Sequence, residues 1–560
     1  MPRRESGLLF ILCQRVTINN PMTLNGFNGF LGQKTKGVLA AAAILAAAGL
    51  LSRLLGFLRN ALLAYFYGAG DVLDAYFLAF RLPDFFFNLL FFGAFSAGFV
   101  PVFIKLKNQD PRRAWKLAND VLNLTLIVFV VFGAVFFVAA PWVLKLIAPG
   151  FEGEKLKLAV TLSRIMFLQP IFLGISVVFS GILQSTHRFL SYAMAPVFYN
   201  LGIIFGILVL AQKFGPVGLA WGVVAGALLH MLVQYPAAKH SGFNYRPVFS
   251  LKENSIKDIF HIIVPRSLSL ILAQLNLVVM AGLASFLGSG RVSVFSFAND
   301  LNGLVLGVVA VPLGVAVFPV FSELASKNRL REMGEMFIKT SRRLMFVMIP
   351  AAALFFVLRA QIVRLTLGYG RFDWADTVMT IETLGFFLIG LVFQGMLAII
   401  LRGFFALEDA KTPFWILFFG VLLSIAAASF LAPVMDVSAL GLAMAAAAVF
   451  NALVLFFIFR RRIRFVSVAA LAGPTVVFIF ASVLAGAVAR AALYFLDRFL
   501  DTHKVLHLII QSGSAGVLGI AVYLLVTGLF NTEETSQILR KLKSGKKIVL
   551  PSLDEETHQS

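Results

Sequence analysis

The stretch SRLLGFLRNALLAYFYGAGDVLDAYFLAF, Ser52 to Phe80, decides how the chain is read. Two apolar runs flank the short turn YGAGDV, and each continues outward far enough to cross a hydrocarbon layer of about 30 Å, which a helix spans in about 20 residues. Within the first run stand two permanent cations, Arg53 and Arg59. Arg53 lies some 15 residues from either end of its run, about 22 Å at 1.5 Å per residue, too deep for its side chain to reach a surface. An arginine at that depth costs about 2.5 to 3.5 kcal/mol on insertion scales, so it calls for a partner or a hydrated cavity.

The rest of the chain repeats this pattern. Of 560 residues, 59% are hydrophobic and only 13% charged, and the mean hydropathy is +0.90, which excludes a soluble globular protein. Hydropathy predicts an all-α membrane protein of fourteen transmembrane helices, at 38–66, 71–104, 117–147, 157–185, 189–212, 216–236, 258–287, 292–325, 333–366, 376–404, 412–432, 437–459, 466–496 and 505–530. The second is expected to bend at Pro83, whose ring removes a backbone donor. The single cysteine, Cys13, excludes a disulfide framework and a multi-cysteine metal site. Its surroundings, LLFILC, lack the small residue that lipoprotein cleavage needs, so residues 1–36 read as a cytoplasmic N-terminal extension.

The formal charge of +21 does not signal nucleic acid, because the Lys and Arg residues are dispersed over many loops. With the N-terminus inside, the basic segments IKLKNQDPRRAWK, KHSGFNYRPVFSLKENSIK, SKNRLR, FRRRIR and RKLKSGKK all fall on the inner side, and the alternate loops are poor in cations. Both termini are therefore expected in the cytoplasm.

A faint duplication runs through the chain. VPVF ending at Phe103 recurs as FPVF ending at Phe321, and Leu183 in GILQ matches Leu401 in IILR, both 218 residues apart. Pro196 pairs with Pro413, and the run GLAWGVVAGALLHMLV from Gly218 resembles GLAMAAAAVFNALVLF from Gly441. Six helices per copy give two pseudo-symmetric lobes, 37–247 and 248–464, with a substrate site between them. Helices 13 and 14, within 465–531, lie outside the repeat, and 532–560 is a basic cytoplasmic tail.

Helix 7 brings a third buried cation, Arg266, to a depth similar to that of Arg53 once the repeat offset is removed. Arg59 is six positions after Arg53, about 120° round the helix, so both face one cavity only if it is wide or the helix deforms near Gly56. For Arg53 two readings stand: pairing with an acid such as Asp74, Asp300 or Glu382, or facing a ligand, which is favoured. Guanidinium forks match phosphate oxygens, so the ligand of such a centre is a phosphate or pyrophosphate. Asp74 near the outer end of helix 2 either locks the lobes, orients Arg59 or is a helix-start acid. Asp300 and Asn302 in FANDLNGL, and Glu382, either bind a coupling cation or form structural ion pairs. Arg164 and Arg402 are read as snorkelling, and His230 and His261 as packed or interfacial. No Walker motif is present, so ATP hydrolysis is not expected.

The segments SRLLGFLRNALLAYFYGAGDVLDAYFLAFRLPDFFFNLLFFGAFSAGFVPVF (52–103), ILQSTHRFLSYAMAPVFYNLG (182–202) and LRGFFALEDAKTPF (401–414) resemble the MurJ/MviN family, the lipid II flippases of the multidrug/oligosaccharidyl-lipid/polysaccharide exporter superfamily. The resemblance implies a two-lobed alternating-access fold with a central cationic cavity, a groove for the polyprenyl tail on helices 13 and 14, an essential arginine pair at Arg53 and Arg59, and a helix 2 acid at Asp74. Two departures mark a divergent branch: Asn88 stands where members carry a further cavity arginine, with Phe92 in place of an acid, and Asp300 where they carry an arginine on helix 8. Arg266 is read as the compensation.

The resemblance thus implies a transporter rather than an enzyme, in a bacterial cytoplasmic (inner) membrane. It would move an undecaprenyl-pyrophosphate-linked disaccharide peptide without a cofactor, coupled to membrane potential or a monovalent cation. Its partners are lipid II, membrane lipids and cell-wall synthesis enzymes. The alternatives are an exporter of another lipid-linked glycan or of a drug, a membrane glycosyl- or acyltransferase, and a cell-wall scaffold. A transferase would need a loop-borne catalytic acid cluster or histidine together with a sizeable aqueous region, and the sequence has no such region.

Overall fold

The computed structural model describes residues 38–91, 95–247, 271–501 and 504–543; Cys13, Phe92, His261, Arg266 and the tail beyond residue 543 lie outside them. Among the described residues every regular element is helical: α1 Val38–Tyr67, α2 Asp71–Phe91, α3 Phe95–Gln109, α4 Pro111–Ile147, α5 Gly153–Ser185, α6 Phe189–Phe214, α7 Val217–His240 and α8 Ile271–Ser285 form the first part. There follow α9 Arg291–Ser326, α10 Leu330–Thr366, α11 Trp374–Ala406, α12 Lys411–Met435, α13 Ser438–Arg462, α14 Val468–Leu496, α15 Val505–Leu529 and α16 Glu533–Lys543. Twelve of these are long and apolar enough to span a membrane. The expected second span appears as α2 and α3, and the expected seventh is described only as α8. Pro83 lies inside α2, which remains helical through it to Phe91.

Apolar side chains point outward as well as inward. Val138, Val483 and Val517 are each more than 60% exposed, a cost in water but none in hydrocarbon. Helix α1 to helix α7 pack among themselves, as do α9 to α13, while the two groups meet where α2 touches α9 and α1 touches α10. Helices α14 and α15 pack on each other and on α10. The chain is thus two bundles in contact along a narrow seam, with an appended pair.

Close helix approach without a hydrophobic drive requires small residues at the contact. At the α6–α7 crossing, a Cβ on Gly206 would lie 2.3 Å from the Gly222 Cα, and one on Gly202 would lie 2.3 Å from the Gly226 Cα. In the second bundle, Gly390 and Ala445 make the corresponding close approach of α11 to α13, a Gly390 Cβ lying 2.7 Å from the Ala445 Cα.

The tail read as merely basic begins with structure. Helix α16 docks its acidic first turn on α10, where Arg342 reaches Glu533 and Glu534, each at 3.0 Å.

Candidate functional site

The seam between the bundles is polar near the middle of α1 and α9. Arg53, half-buried near the middle of α1, donates through Nη2 to the carbonyl oxygen of Gly307 across the seam. Gly307 sits in a π-helical turn of α9, Leu306–Ala310, and a Cβ there would lie 3.0 Å from the same Nη2. The wider turn and the missing side chain admit the guanidinium against the backbone.

Arg59 is cradled by neutral amides. Its Nε and Nη2 donate to Asn60 Oδ1 at 3.2 and 3.1 Å, and its Nη1 donates to Asn200 Oδ1 on α6 at 3.3 Å. Asn200 is oriented by its own donations to the Ser52 and Pro196 carbonyls, each at 3.1 Å. Asn60 then donates to Asp300 Oδ2 on α9 at 3.0 Å, so the amide relays between the cation of one lobe and the acid of the other. Among the described residues, neither Arg53 nor Arg59 has a carboxylate within ion-pairing distance; Asp74, Asp300 and Glu382 do not pair with Arg53. Two cations in low dielectric thus hold only neutral acceptors, an arrangement that an anion improves.

Two further charged residues, not evident from depth and repeat alone, belong to the seam. Arg81 on α2 donates to Ser296 Oγ on α9 at 3.4 Å, and Asp84, one turn further, accepts from Asn88 Nδ2 at 3.1 Å. The signal was present in RLPD, two opposite charges three residues apart in an apolar helix, which share a face. Asn88, expected to line the cavity, is engaged within its own helix, since it also donates to the Asp84 carbonyl at 2.8 Å.

Asp74 occupies one end of the seam and is fully buried. Its Oδ2 accepts from Lys155 Nζ and from Gly290 N, both at 2.7 Å, and its Oδ1 accepts from Ser293 N at 2.8 Å and Ser293 Oγ at 2.7 Å. Lys155, also 2.7 Å from Asp71, belongs to the same lobe as Asp74, whereas Gly290 and Ser293 open α9 in the other lobe. The carboxylate therefore ties the start of α9 to α2 and has no contact with Arg59. Around it the Ala69 amide donates to Asp376 Oδ2 at 3.0 Å, the Arg371 amide to the Tyr65 carbonyl at 2.9 Å, and the Gly150 amide to Ser285 Oγ at 3.2 Å. Gly290 holds a φ of +83°, and a Cβ there would lie 2.5 Å from the Ala69 carbonyl oxygen, so only glycine lets these turns interlock. This end, which carries the α1–α2, α4–α5, α8–α9 and α10–α11 connections, is closed.

The other predicted residues fall elsewhere. Asn302 points into the second bundle, donating to Gln394 Oε1 at 3.1 Å. Glu382 projects from α11 into a lateral pocket with Arg359, away from Asp300 and the seam. Arg266 lies outside the described residues. His230 is packed in the first lobe, its Nδ1 2.6 Å from Ser176 Oγ. Arg164 turns back to donate to the Phe137 carbonyl at 2.8 Å, and Arg402 to that of Ala398 at 3.3 Å. Among the described residues no group of three or more His, Cys, Asp or Glu is placed to hold a metal ion.

Comparison with known proteins gives a consistent picture. Residues 63–512 match the family model described as lipid II flippase MurJ. A protein of Burkholderia cenocepacia named lipid II flippase MurJ is 31% identical over 423 residues, covering 74% of this chain and 82% of that one. One of Rhizobium tropici named probable lipid II flippase MurJ is 29% identical over 505 residues, 88% of this chain and 94% of the relative. Among solved structures, one titled lipid II flippase MurJ, inward closed conformation, superposes with a TM-score of 0.72 at 23% identity over 87% of this chain and 98% of that one. An inward-facing multidrug transporter of the MATE family superposes at 0.62 with 18% identity, over 76% of this chain and 98% of that one. These last two likenesses concern the fold alone.

Proposed function

The chain belongs to the lipid II flippase MurJ family, and from that premise we propose that it carries lipid II across the bacterial cytoplasmic membrane by alternating access, its diphosphate gripped at the seam by Arg53 and Arg59. The observation that carries this reading is that both guanidinium groups lie at the seam with only neutral acceptors, Arg53 on a carbonyl of the opposite lobe and Arg59 on amides of its own. Charge-assisted hydrogen bonds are roughly twice as strong as neutral ones, so a diphosphate displaces the Gly307 carbonyl and the Asn60 and Asn200 amides at a net gain. Arg81 on α2 supplies a third donor at the same seam, in place of the arginine that other members carry at the Asn88 position. Arg266 is assigned the same role from the opposite lobe. Asp300 keeps the empty site from full positive charge through Asn60 and is the acid against which the anion must compete.

Loop charge supports both termini in the cytoplasm, and in that orientation the closed end bound by Asp74 is the outer gate and the headgroup enters from the inside. A ligand shifts a two-state equilibrium only by its differential affinity, and an anion that relieves repulsion among Arg53, Arg59 and Arg81 favours the state that brings them together. Return of the empty, cationic site is driven by membrane potential or a monovalent cation; one charge crossing 100 mV is worth about 2.3 kcal/mol. The work is transport, with no bond made or broken and no cofactor. Cell-wall synthesis enzymes are the expected neighbours.

The test is complementation of a bacterium depleted of its own lipid II flippase, with lipid II in the outer leaflet measured directly. The chain restores growth and outer-leaflet lipid II, and Arg53→Ala restores neither. Growth without outer-leaflet lipid II would refute transport, and rescue by Arg53→Ala would refute the grip.

A further inference from the structure

A pocket of about 620 Å³ opens on the flank of the second lobe, between α10, α11 and the α12–α13 turn, separate from the seam. Its walls are mostly apolar, and Phe356 and Ile389 on them are 43% and 51% exposed, so they continue the lipid-facing surface. Three charged side chains line it, Arg359, Glu382 and Asp436. Arg359 lies over the Phe356 ring at 4.2 Å and gives one Nη1 hydrogen bond to the Phe356 carbonyl at 2.5 Å, while its buried Nε has no acceptor. The Cβ that Gly385 lacks would come within 3.3 Å of that Nε, so the glycine keeps the guanidinium open to the pocket.

Glu382 shares the pocket and acts on Arg359 electrostatically, yet among the described residues it has neither a hydrogen bond nor an ion pair. Arg490 on α14, exposed and also unpaired among them, adds a second cation within electrostatic reach of Arg359. The remaining acid, Asp436, is already engaged by Arg291 at 2.9 Å. A cation and an anion that coexist in one apolar-walled pocket without pairing leave both charges to be met from outside, because an unpaired charge at the edge of hydrocarbon is costly.

Depth selects the partner. Arg359 is seven residues from the end of α10 and Glu382 eight from the start of α11, about 10 to 12 Å below the outer-gate end at 1.5 Å per residue. Helix α10, 37 residues or about 55 Å long, overshoots a bilayer about 40 to 45 Å thick by about 5 to 7 Å at each end when centred in it, which sets both charges about 3 to 7 Å below the outer surface, within the headgroup and glycerol layer. We propose that this pocket binds the headgroup of a zwitterionic aminophospholipid, its phosphate on Arg359 and its ammonium on Glu382, with the acyl chains along Phe356 and Ile389. The site is independent of the lipid II grip, since none of its residues touches Arg53, Arg59 or Asp74.

The experiment uses the full chain, purified and delipidated in detergent, with phosphatidylethanolamine or phosphatidylglycerol added at equal concentration and bound lipid read by native mass spectrometry. The wild-type chain retains phosphatidylethanolamine with about tenfold higher affinity than phosphatidylglycerol, a difference of about 1.4 kcal/mol. Glu382→Gln abolishes that preference by weakening the amine lipid, and Arg359→Gln weakens both lipids by about tenfold, whereas Arg359→Lys retains most of the binding. Equal retention of both lipids by the wild type, or a preference that survives Glu382→Gln, overturns the proposal. Phosphatidylglycerol preferred by the wild type would make it an anionic-lipid site and overturn it as well. Thermal melting of each variant separates loss of the site from loss of the fold.

Discussion

Replacing Asp74 by Asn removes a charge while keeping the side chain's shape, and the structure fixes which bonds are lost. Four donors converge on the carboxylate, two on each oxygen. An asparagine can turn its oxygen to the Ser293 pair, but its NH2 then faces the Lys155 ammonium and the Gly290 amide, donor against donor. The Lys155 bond lies within one lobe and affects folding; the Gly290 bond crosses the seam and affects the gate. Losing one charge-assisted bond and weakening two more to neutral strength costs the closed state about 3 kcal/mol, which shifts the gate equilibrium on the order of a hundredfold. The assay is a spin–spin distance measured across the gate in lipid nanodiscs. Labels go on Lys157→Cys and Trp374→Cys, both exposed at the outer-gate end of opposite lobes, in a Cys13→Ser background. Asp74→Asn moves most of the population from the short to the long distance, and Lys155→Met moves it less because the cross-lobe donors remain. An unchanged distance distribution in Asp74→Asn would refute the account of the gate.

Asn60→Leu cuts the relay between Arg59 and Asp300, leaving Asp300 without its amide donor and Arg59 with Asn200 alone, so outer-leaflet lipid II falls by at least tenfold, while Asn200→Asp, which gives Arg59 a direct counter-ion, fails for the opposite reason. Normal transport by both variants would remove Arg59 from the site. Gly222→Ala places a Cβ 2.5 Å from the Gly206 Cα and lowers the melting temperature of the detergent-solubilised chain by an amount corresponding to about 1 to 3 kcal/mol, whereas Gly473→Ala, with nothing within 4 Å, is neutral or mildly stabilising. Asp409, in the α11–α12 connection, is opposed by burial, but the hydrogen bonds from Thr412 and the charge of Arg462 at 2.8 Å outweigh it and hold its carboxyl below the ordinary value. A depressed folded pKa stabilises above the unfolded value and is lost as pH falls through the folded one. The melting-temperature deficit of Asp409→Asn is therefore full and constant between pH 5 and 8 and shrinks below about pH 4; a deficit that persists undiminished at pH 3 contradicts the ion pair.

How much of the site could be read in advance depended on the kind of information needed. The cost of a mid-membrane charge is a local property, and it singled out Arg53 and Arg59 without coordinates. The same reasoning applied to RLPD would have found Arg81 and Asp84. Sequence position alone groups Glu382 with the cavity, in a helix of the second lobe. Helical rotation decides otherwise: Thr380, Thr383, Leu384 and Phe387 are buried toward the bundle, which turns Glu382 to the opposite flank beside Arg359.

What the residues determined by themselves was the solvent: runs of apolar side chains long enough to span hydrocarbon, cations sorted to alternate loops, and a few charges left where lipid cannot solvate them. Only the tertiary structure decided what those charges meet. Arg53 meets a backbone carbonyl exposed by a π turn, Arg59 meets two amides, and Asp74 meets the start of a helix more than 200 residues away in the chain. Membrane insertion depends on each segment's own transfer free energy, which composition sets. The identity of a buried partner depends on the rotation and register of helices distant in sequence, which only packing sets.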